Sequence, residues 1–127
     1  MLISAQRLRH TKDITAVYQY GHKRGHRLLR LYAKPSQLSH SRATVVVSQQ
    51  VDRRAVGRNL IKRRLRAALT MILPNLAAPH DIVIVANPAA AKADYQALQQ
   101  ALISTCQQQH LYDPIQHFSK TVRAKIN

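Results

Sequence analysis

Arg58, Asn59, Lys62, Arg63, Arg64 and Arg66 crowd five cations and one amide into nine consecutive residues. These are groups that hold phosphate. A guanidinium meets phosphate oxygens as a planar fork, and an ammonium meets them as a point charge. Asn59 adds a donor and an acceptor that a pure charge patch lacks. Leu60, Ile61 and Leu65 are threaded through the same stretch. A disordered basic tail has no use for such aliphatics, and a buried helix could not carry the charge. Take a helix advancing about 100° per residue, with Arg58 at zero. Ile61, Leu65, Ala68, Leu69 and Ile72 then fall between about 280° and 20°, a coherent apolar stripe. Lys62, Arg66, Asn59 and Arg63 fall between about 40° and 140°, while Arg64 and Leu60 point elsewhere. One side of the helix docks, and the adjacent side presents its cations as a plate at fixed spacings. Charged faces are commonly balanced by acids at i±4. Here no Asp or Glu stands between Arg53 and Thr70. Like charges repel at Arg58/Lys62 and Lys62/Arg66, so the compensating anion is expected outside the chain.

Other residues offer less. Tyr18 and Tyr32 lie beside basic groups and could stack on bases; periodicity alone reads them as core residues with a hydroxyl at the rim. Ser48 could hydrogen-bond a phosphate, or serve a cap or turn. Seven histidines are present, but no Cys/His set has zinc spacing, and no metal site is expected. His22 and His26 flank Gly25 in what reads as a loop. Phosphodiester cleavage by histidines would need two of them converging with a lysine, and no spacing marks such a set. The five acids are all Asp and are scattered, which argues against a paired-carboxylate Mg²⁺ nuclease. Cys106 lies on an apolar helix face and reads as a small core residue.

The elements that must position these groups follow from pattern. Residues 11–20 read as a helix, with Thr11 as N-cap, Asp13 in the first turn and Gly21 as the C′ residue. Ile14, Val17 and Tyr18 share its inner face. HKRGHR reads as a basic loop. Residues 28–34 read as a strand, and 43–48, rich in β-branched residues, as a central strand. The basic helix should run over 52–72 and stop at Pro74. A buried strand follows at 81–86. Tyr95, Leu98, Leu102 and Cys106 then mark the inner face of a last helix to about Gln109. The tail, 111–127, is mixed in character and cannot be placed. The order is α-β-β-α-β-α, with room for a further strand between Gly21 and Thr44. That implies an α+β fold, one sheet with helices packed on it, in a single domain spanning 1–127.

Charge narrows the partner. Twenty Lys and Arg stand against five Asp, a net of +15 over 127 residues. Residues 1–66 hold a net of +14 and residues 67–127 only +1. One half of the chain binds something anionic, and the other reads as scaffold. Counterion release makes a nucleic acid the natural polyanion. Arg outnumbers Lys thirteen to seven, a bias towards phosphate forks and base stacking. No run approaches the roughly 20 apolar residues of a membrane helix, and the first residues lack a secretory apolar core. A single cysteine excludes an internal disulfide framework. A cytoplasmic protein with no membrane partner is expected.

These residues closely resemble the protein subunit of bacterial ribonuclease P. That family's signature helix, R-N-x-x-K-R-x-x-R, is met by Arg58, Asn59, Lys62, Arg63 and Arg66. RLRHTKDITAVYQYGHK is similar to the family's opening, Leu31-Tyr32 to its L-Y strand, VVVSQQV to its V-S-K-K-V strand end, and DIVIVANPAAAKADYQAL to the segment that follows. Some positions depart. Ile14 and Tyr18 stand where Phe is usual, Gln49 and Gln50 replace a lysine pair, and Asp52 replaces a glycine. Ala67 replaces a common Glu or Gln, and Leu60 a frequent Arg.

The resemblance implies a two-layer α/β sandwich with one mixed sheet of about four strands and three helices. It also implies a left-handed β-α-β crossover around the signature helix, where general rules favour a right-handed one. It implies that the catalytic subunit is an RNA, which uses Mg²⁺ bound mainly by itself to remove the 5′ leader of precursor tRNA, and that the protein alone does not cut. Arg58, Asn59, Lys62, Arg63 and Arg66 would then contact the RNA subunit. Ile14, Tyr18, Tyr32 and Ser48 would line a cleft for the single-stranded leader. Arg7, Arg9, Lys12, Arg53 and Arg54 would widen the positive field. Two other readings share the charge. A structural ribosomal protein would bind ribosomal RNA without processing it. A helix-turn-helix DNA regulator would need a helix just before Arg58, which the β-rich flank does not offer.

Overall fold

A computed structural model describes Leu2 and residues 4–111; beyond Leu111, the tail assigned to 111–127 lies outside the described residues. The elements are α1 (Thr11–Tyr20), β1 (His22–Gly25), β2 (Leu29–Pro35), β3 (Arg42–Val46), α2 (Ala55–Ile72), β4 (His80–Ala86) and α3 (Tyr95–Gln108). Short 3-10 turns occupy Ser4–Gln6, Leu73–Asn75 and Pro88–Lys92. The four strands form one sheet in the order β1-β2-β4-β3. β2 is antiparallel to both β1 and β4, while β3 runs parallel to β4. A parallel pair cannot close through a hairpin, so the chain crosses over the sheet between them, and α2 is that crossover.

Alternation along the strands assigns the two faces. Leu29, Leu31 and Ala33 of β2, Ala43 and Val45 of β3, and Ile82 and Ile84 of β4 join the main core with Ile61, Leu65 and Leu69 of α2 and Leu98 and Leu102 of α3. This packs α2 and α3 on one face of a single mixed four-stranded sheet, as expected. Across the opposite face lies α1. Its Val17 is buried in a smaller cluster with Leu8 and Val83, flanked by Ile14, Tyr32 and Val85. β4 is therefore apolar on both faces, which explains the unbroken run from Ile82 to Val85.

Several local expectations are corrected. HKRGHR is not simply a loop: His22–Gly25 is an edge strand, paired from His22↔Ala33 to Gly25↔Arg30. All four residues are exposed, so no apolar alternation could mark it; it is held by backbone pairing to β2 and by the Gln109 side chain, which donates to the His22 carbonyl at 3.2 Å. The turn that follows closes through His26 N–H to the Leu29 carbonyl at 2.8 Å and Leu28 N–H to His26 Nδ1 at 3.0 Å. β3 is not central but an outer strand. β-branching favours a pleated strand but does not say whether both edges are paired. Its outer side meets the N-terminal segment, by a parallel bridge Arg7↔Ala43 and a Leu8 N–H donated to the Ala43 carbonyl at 3.0 Å.

Helix starts also shift. The N-cap of α1 is His10, whose carbonyl accepts Ile14 N–H at 3.0 Å, so Thr11 is already helical. Gly21 sits at the C-cap in extended conformation, with φ −79°. Its missing side chain answers crowding instead: a Cβ there would lie 2.4 Å from the Val17 carbonyl oxygen. α2 begins at Ala55 rather than at 52, because Asp52 folds back to accept the backbone N–H of Arg54 at 2.9 Å. α3 is capped by Asp94, which accepts from Ala97 N–H at 2.8 Å.

Candidate nucleic-acid interface

The stripe expected to anchor α2 is buried in full: Ile61, Leu65, Ala68, Leu69 and Ile72 are all in the core. Asn59, Arg63 and Arg66 are exposed and Lys62 is half-buried beside them. Among the described residues, no hydrogen bond or ion pair occupies these four side chains. Leu60 is 38% exposed. Arg64, predicted to point away, donates to the Ala93 carbonyl at 2.8 Å and ties α2 to the turn before α3. Arg58 stands at the edge of the plate. Its Nη1 donates to the carbonyls of Arg53 at 2.8 Å and Asp52 at 3.1 Å, which fixes the loop leading into the helix.

The acids explain why the plate stays unpaired. Asp52 is bound by the Arg54 side chain and backbone, which hold its carboxyl below the usual carboxylate range. Asp81 receives a two-pronged hydrogen bond from Arg42, at 3.0 and 2.8 Å, and Asp13 lies 3.4 Å from the same guanidinium. Hydrogen bonding to Asp81, more than the charge of either acid, holds Arg42 more firmly protonated than usual. Asp94 caps α3. Each acid of the described residues is therefore engaged in the fold, and none faces Lys62, Arg63 or Arg66.

At the β3 edge the plate meets the N-terminal segment. Leu2, Arg7, Leu8, Arg9, Thr44 and Arg66 line a hollow of about 250 Å³. Arg7 and Arg9, assigned a supporting role from sequence, are thus brought to Arg66. Arg7 Nε donates to the Leu2 carbonyl, and Arg9 Nη2 to Ser4 Oγ. Lys12 is exposed on α1 and Arg53 before α2, while Arg54 is taken up by Asp52.

The second surface is the sheet face under α1. Tyr18 and Tyr32 meet edge to face, with ring centroids 4.8 Å apart at 71°. Tyr18 remains 41% exposed. Partial burial of its ring raises the phenol pKa, Tyr32 adds to the effect, and the Arg30 cation opposes it. The hydroxyl is accordingly a neutral donor at neutral pH. Ile14 is half-buried against Leu8, Val17 and Val83, so it supports this surface from below. Ser48 is exposed in the turn between β3 and α2, where its carbonyl accepts Val51 N–H at 3.1 Å. Sequence reasoning missed two cations here. Lys23 of β1 places its ammonium 5.8 Å from the Tyr32 ring centre. Arg30 lies two residues before Tyr32 on β2, hence on the same face. Period two counted back from Tyr32 would have found it.

Among the described residues no cluster of three or more His, Cys or Asp side chains could hold a metal ion, and no helix is long and apolar enough to cross a membrane. The family model described as Ribonuclease P matches residues 2–110. The chain is 42% identical over 118 residues to the ribonuclease P protein component of Cyanothece sp., covering 80% of this chain and 90% of that protein. It is 35% identical over 91 residues to that of Synechocystis sp., covering 71% and 73%. Among solved structures, a Staphylococcus aureus RNase P protein mutant with defective mRNA degradation activity superposes with a TM-score of 0.78 at 25% identity, covering 85% of this chain and 91% of that one.

Proposed function

This chain belongs to the ribonuclease P protein family, and on that premise we propose that it is the RNA-binding subunit of a ribonuclease P holoenzyme that removes the 5′ leader of precursor tRNA. The observation that carries the reading is the plate on α2: Asn59, Lys62, Arg63 and Arg66 have no side-chain partner among the described residues and stand beside a fully buried stripe. Rigid cations with no internal acid suit the fixed path of a folded RNA's phosphates. We assign this plate, with Arg58 at its edge, to the RNA subunit.

The cleft beside α1 suits the leader. Stacking on Tyr18 and Tyr32 tolerates any base, as a leader of varying sequence requires. Cleavage itself belongs to the RNA subunit with its Mg²⁺. The acids of the described residues are committed to Arg42, Arg54 and the α3 cap, so this donor set does not fit a protein-held Mg²⁺. The protein's part is to grip the leader, raising affinity for precursor over mature tRNA, and to screen repulsion between two RNAs.

Reconstitution with the cognate RNA subunit at low Mg²⁺ tests the reading. Cleavage should appear with the protein and be feeble without it. Equal cleavage in both, together with co-sedimentation of the protein on ribosomal subunits, would favour the structural ribosomal reading instead.

A further inference from the structure

Among the described residues, Arg30 is the one with a buried side-chain nitrogen or oxygen left without a partner. Its Nε is buried and has no hydrogen-bond partner among the described residues. Leaving such a donor unsatisfied is costly, and a guanidinium cannot escape the cost by losing its proton. The residue stands on the Tyr18–Tyr32 face of the sheet, opposite Val85 on β4 and Gly25 on β1. Gly25 matters because a Cβ built there meets nothing within 4 Å. On the β1 side, then, the space next to Arg30 is open. No acid pairs with it among the described residues, while Lys23 adds a second cation over the neighbouring ring.

We propose that Arg30 is the phosphate-holding residue of this cleft, its guanidinium swinging outward on binding so that the Nε–H, buried and unpartnered in the free protein, and a terminal amino group donate as a fork to one backbone phosphate of the single-stranded RNA. The assignment rests on the reading that the cleft holds the leader. It deepens that reading by naming the polar anchor beside the two stacking rings. Stacking alone fixes neither the register nor the direction of a strand. A two-pronged phosphate contact fixes the register, because it ties one nucleotide to a set point between Tyr18 and Gly25. A lysine would supply the charge without the fork.

The test uses the reconstituted holoenzyme with Arg30→Met, Arg30→Lys and Tyr18→Ala, measuring affinity for precursor tRNA and for leaderless tRNA over a range of salt. Arg30→Met should weaken precursor binding about tenfold or more and leave leaderless tRNA nearly unchanged. Its log–log salt slope should flatten by about 0.7, the value for one single-strand phosphate. Arg30→Lys should recover only part of the affinity. The free Arg30→Met protein should melt no lower than the parent, because an unsatisfied buried group has been removed. A leader carrying one neutral methylphosphonate, moved position by position, should weaken the parent at one site and leave Arg30→Met indifferent there.

If Arg30→Met binds precursor as the parent does, or loses equally on leaderless tRNA while Tyr18→Ala remains leader-dependent, the Arg30 assignment is wrong and the cleft reading survives. If both variants are blind to the leader, the cleft reading itself falls.

Discussion

Lys62 and Arg66 are the residues on which the RNA-binding reading can be tested most directly, because neither contributes to the core. Lys62→Ala and Arg66→Ala should each weaken binding to the RNA subunit while leaving the thermal midpoint within experimental scatter. Each lost phosphate contact should flatten the log–log salt dependence by about 0.7–0.9. Unchanged slopes in both variants would mean that the plate faces solvent rather than RNA. These side chains were legible in the sequence because helical period sorts a chain into faces without knowledge of its neighbours. Arg58 was only half legible: helical period sets it at the edge of the plate, but its ties to backbone carbonyls, like Arg54's place before the helix and its pairing with Asp52, depend on a loop that no periodicity describes. Arg30 was legible in its place, two residues before Tyr32 on one strand, but not in its purpose. A lone cation on a strand shows its purpose only once the two faces of the sheet are known.

At the scale of elements, the ion cluster of Arg42, Asp81 and Asp13 joins three pieces of the fold. Arg42 opens β3, Asp81 lies beside it on β4, and Asp13 reaches down from the first turn of α1. Asp81 is buried and bound in two-pronged fashion, so removing it strands a half-buried guanidinium. Asp81→Ala should cost about 3–5 kcal/mol, read as a fall in the urea midpoint. Asp13→Ala, at a longer and more exposed contact, should cost no more than about 1 kcal/mol. A cost for Asp81→Ala as small as that for Asp13→Ala would show that the cluster does not join β3 to β4. The main elements were readable because each carries its own apolar rhythm: α1 spans the expected residues, β2 is shifted by one residue at both ends, and β4 and α3 differ by one residue at one end. β1 has no such rhythm. Nor can a strand's composition report its place in the sheet, which is why β3 was expected at the centre and lies at the rim.

For the molecule as a whole, the core sets a limit on alkaline stability. Cys106 is buried in it, and burial pushes its thiol up to about 12, whereas an unfolded cysteine titrates near 8.5. The folded state therefore holds its proton longer. The associated stability is complete below about pH 8.5 and is lost as pH climbs towards the folded value. Cys106→Ala should flatten the decline in stability above pH 9 even though it creates a small cavity. In the native parent, a thiol reagent at pH 8 should react only as fast as the molecule unfolds. Rapid labelling would place the thiol at the surface and contradict the packing.

The two rims of the sheet are guarded by different means. β3 is shielded by Arg7 and Leu8 laid along it. Among the described residues no strand pairs with the outer side of β1, where the Lys23 and Arg24 charges of separate copies repel one another. That protection is electrostatic, so it weakens as dissolved ions accumulate. Strand-to-strand stacking of free copies should thus begin at β1 and be promoted by concentrated salt, which makes dilute buffers the gentler storage medium for the free protein.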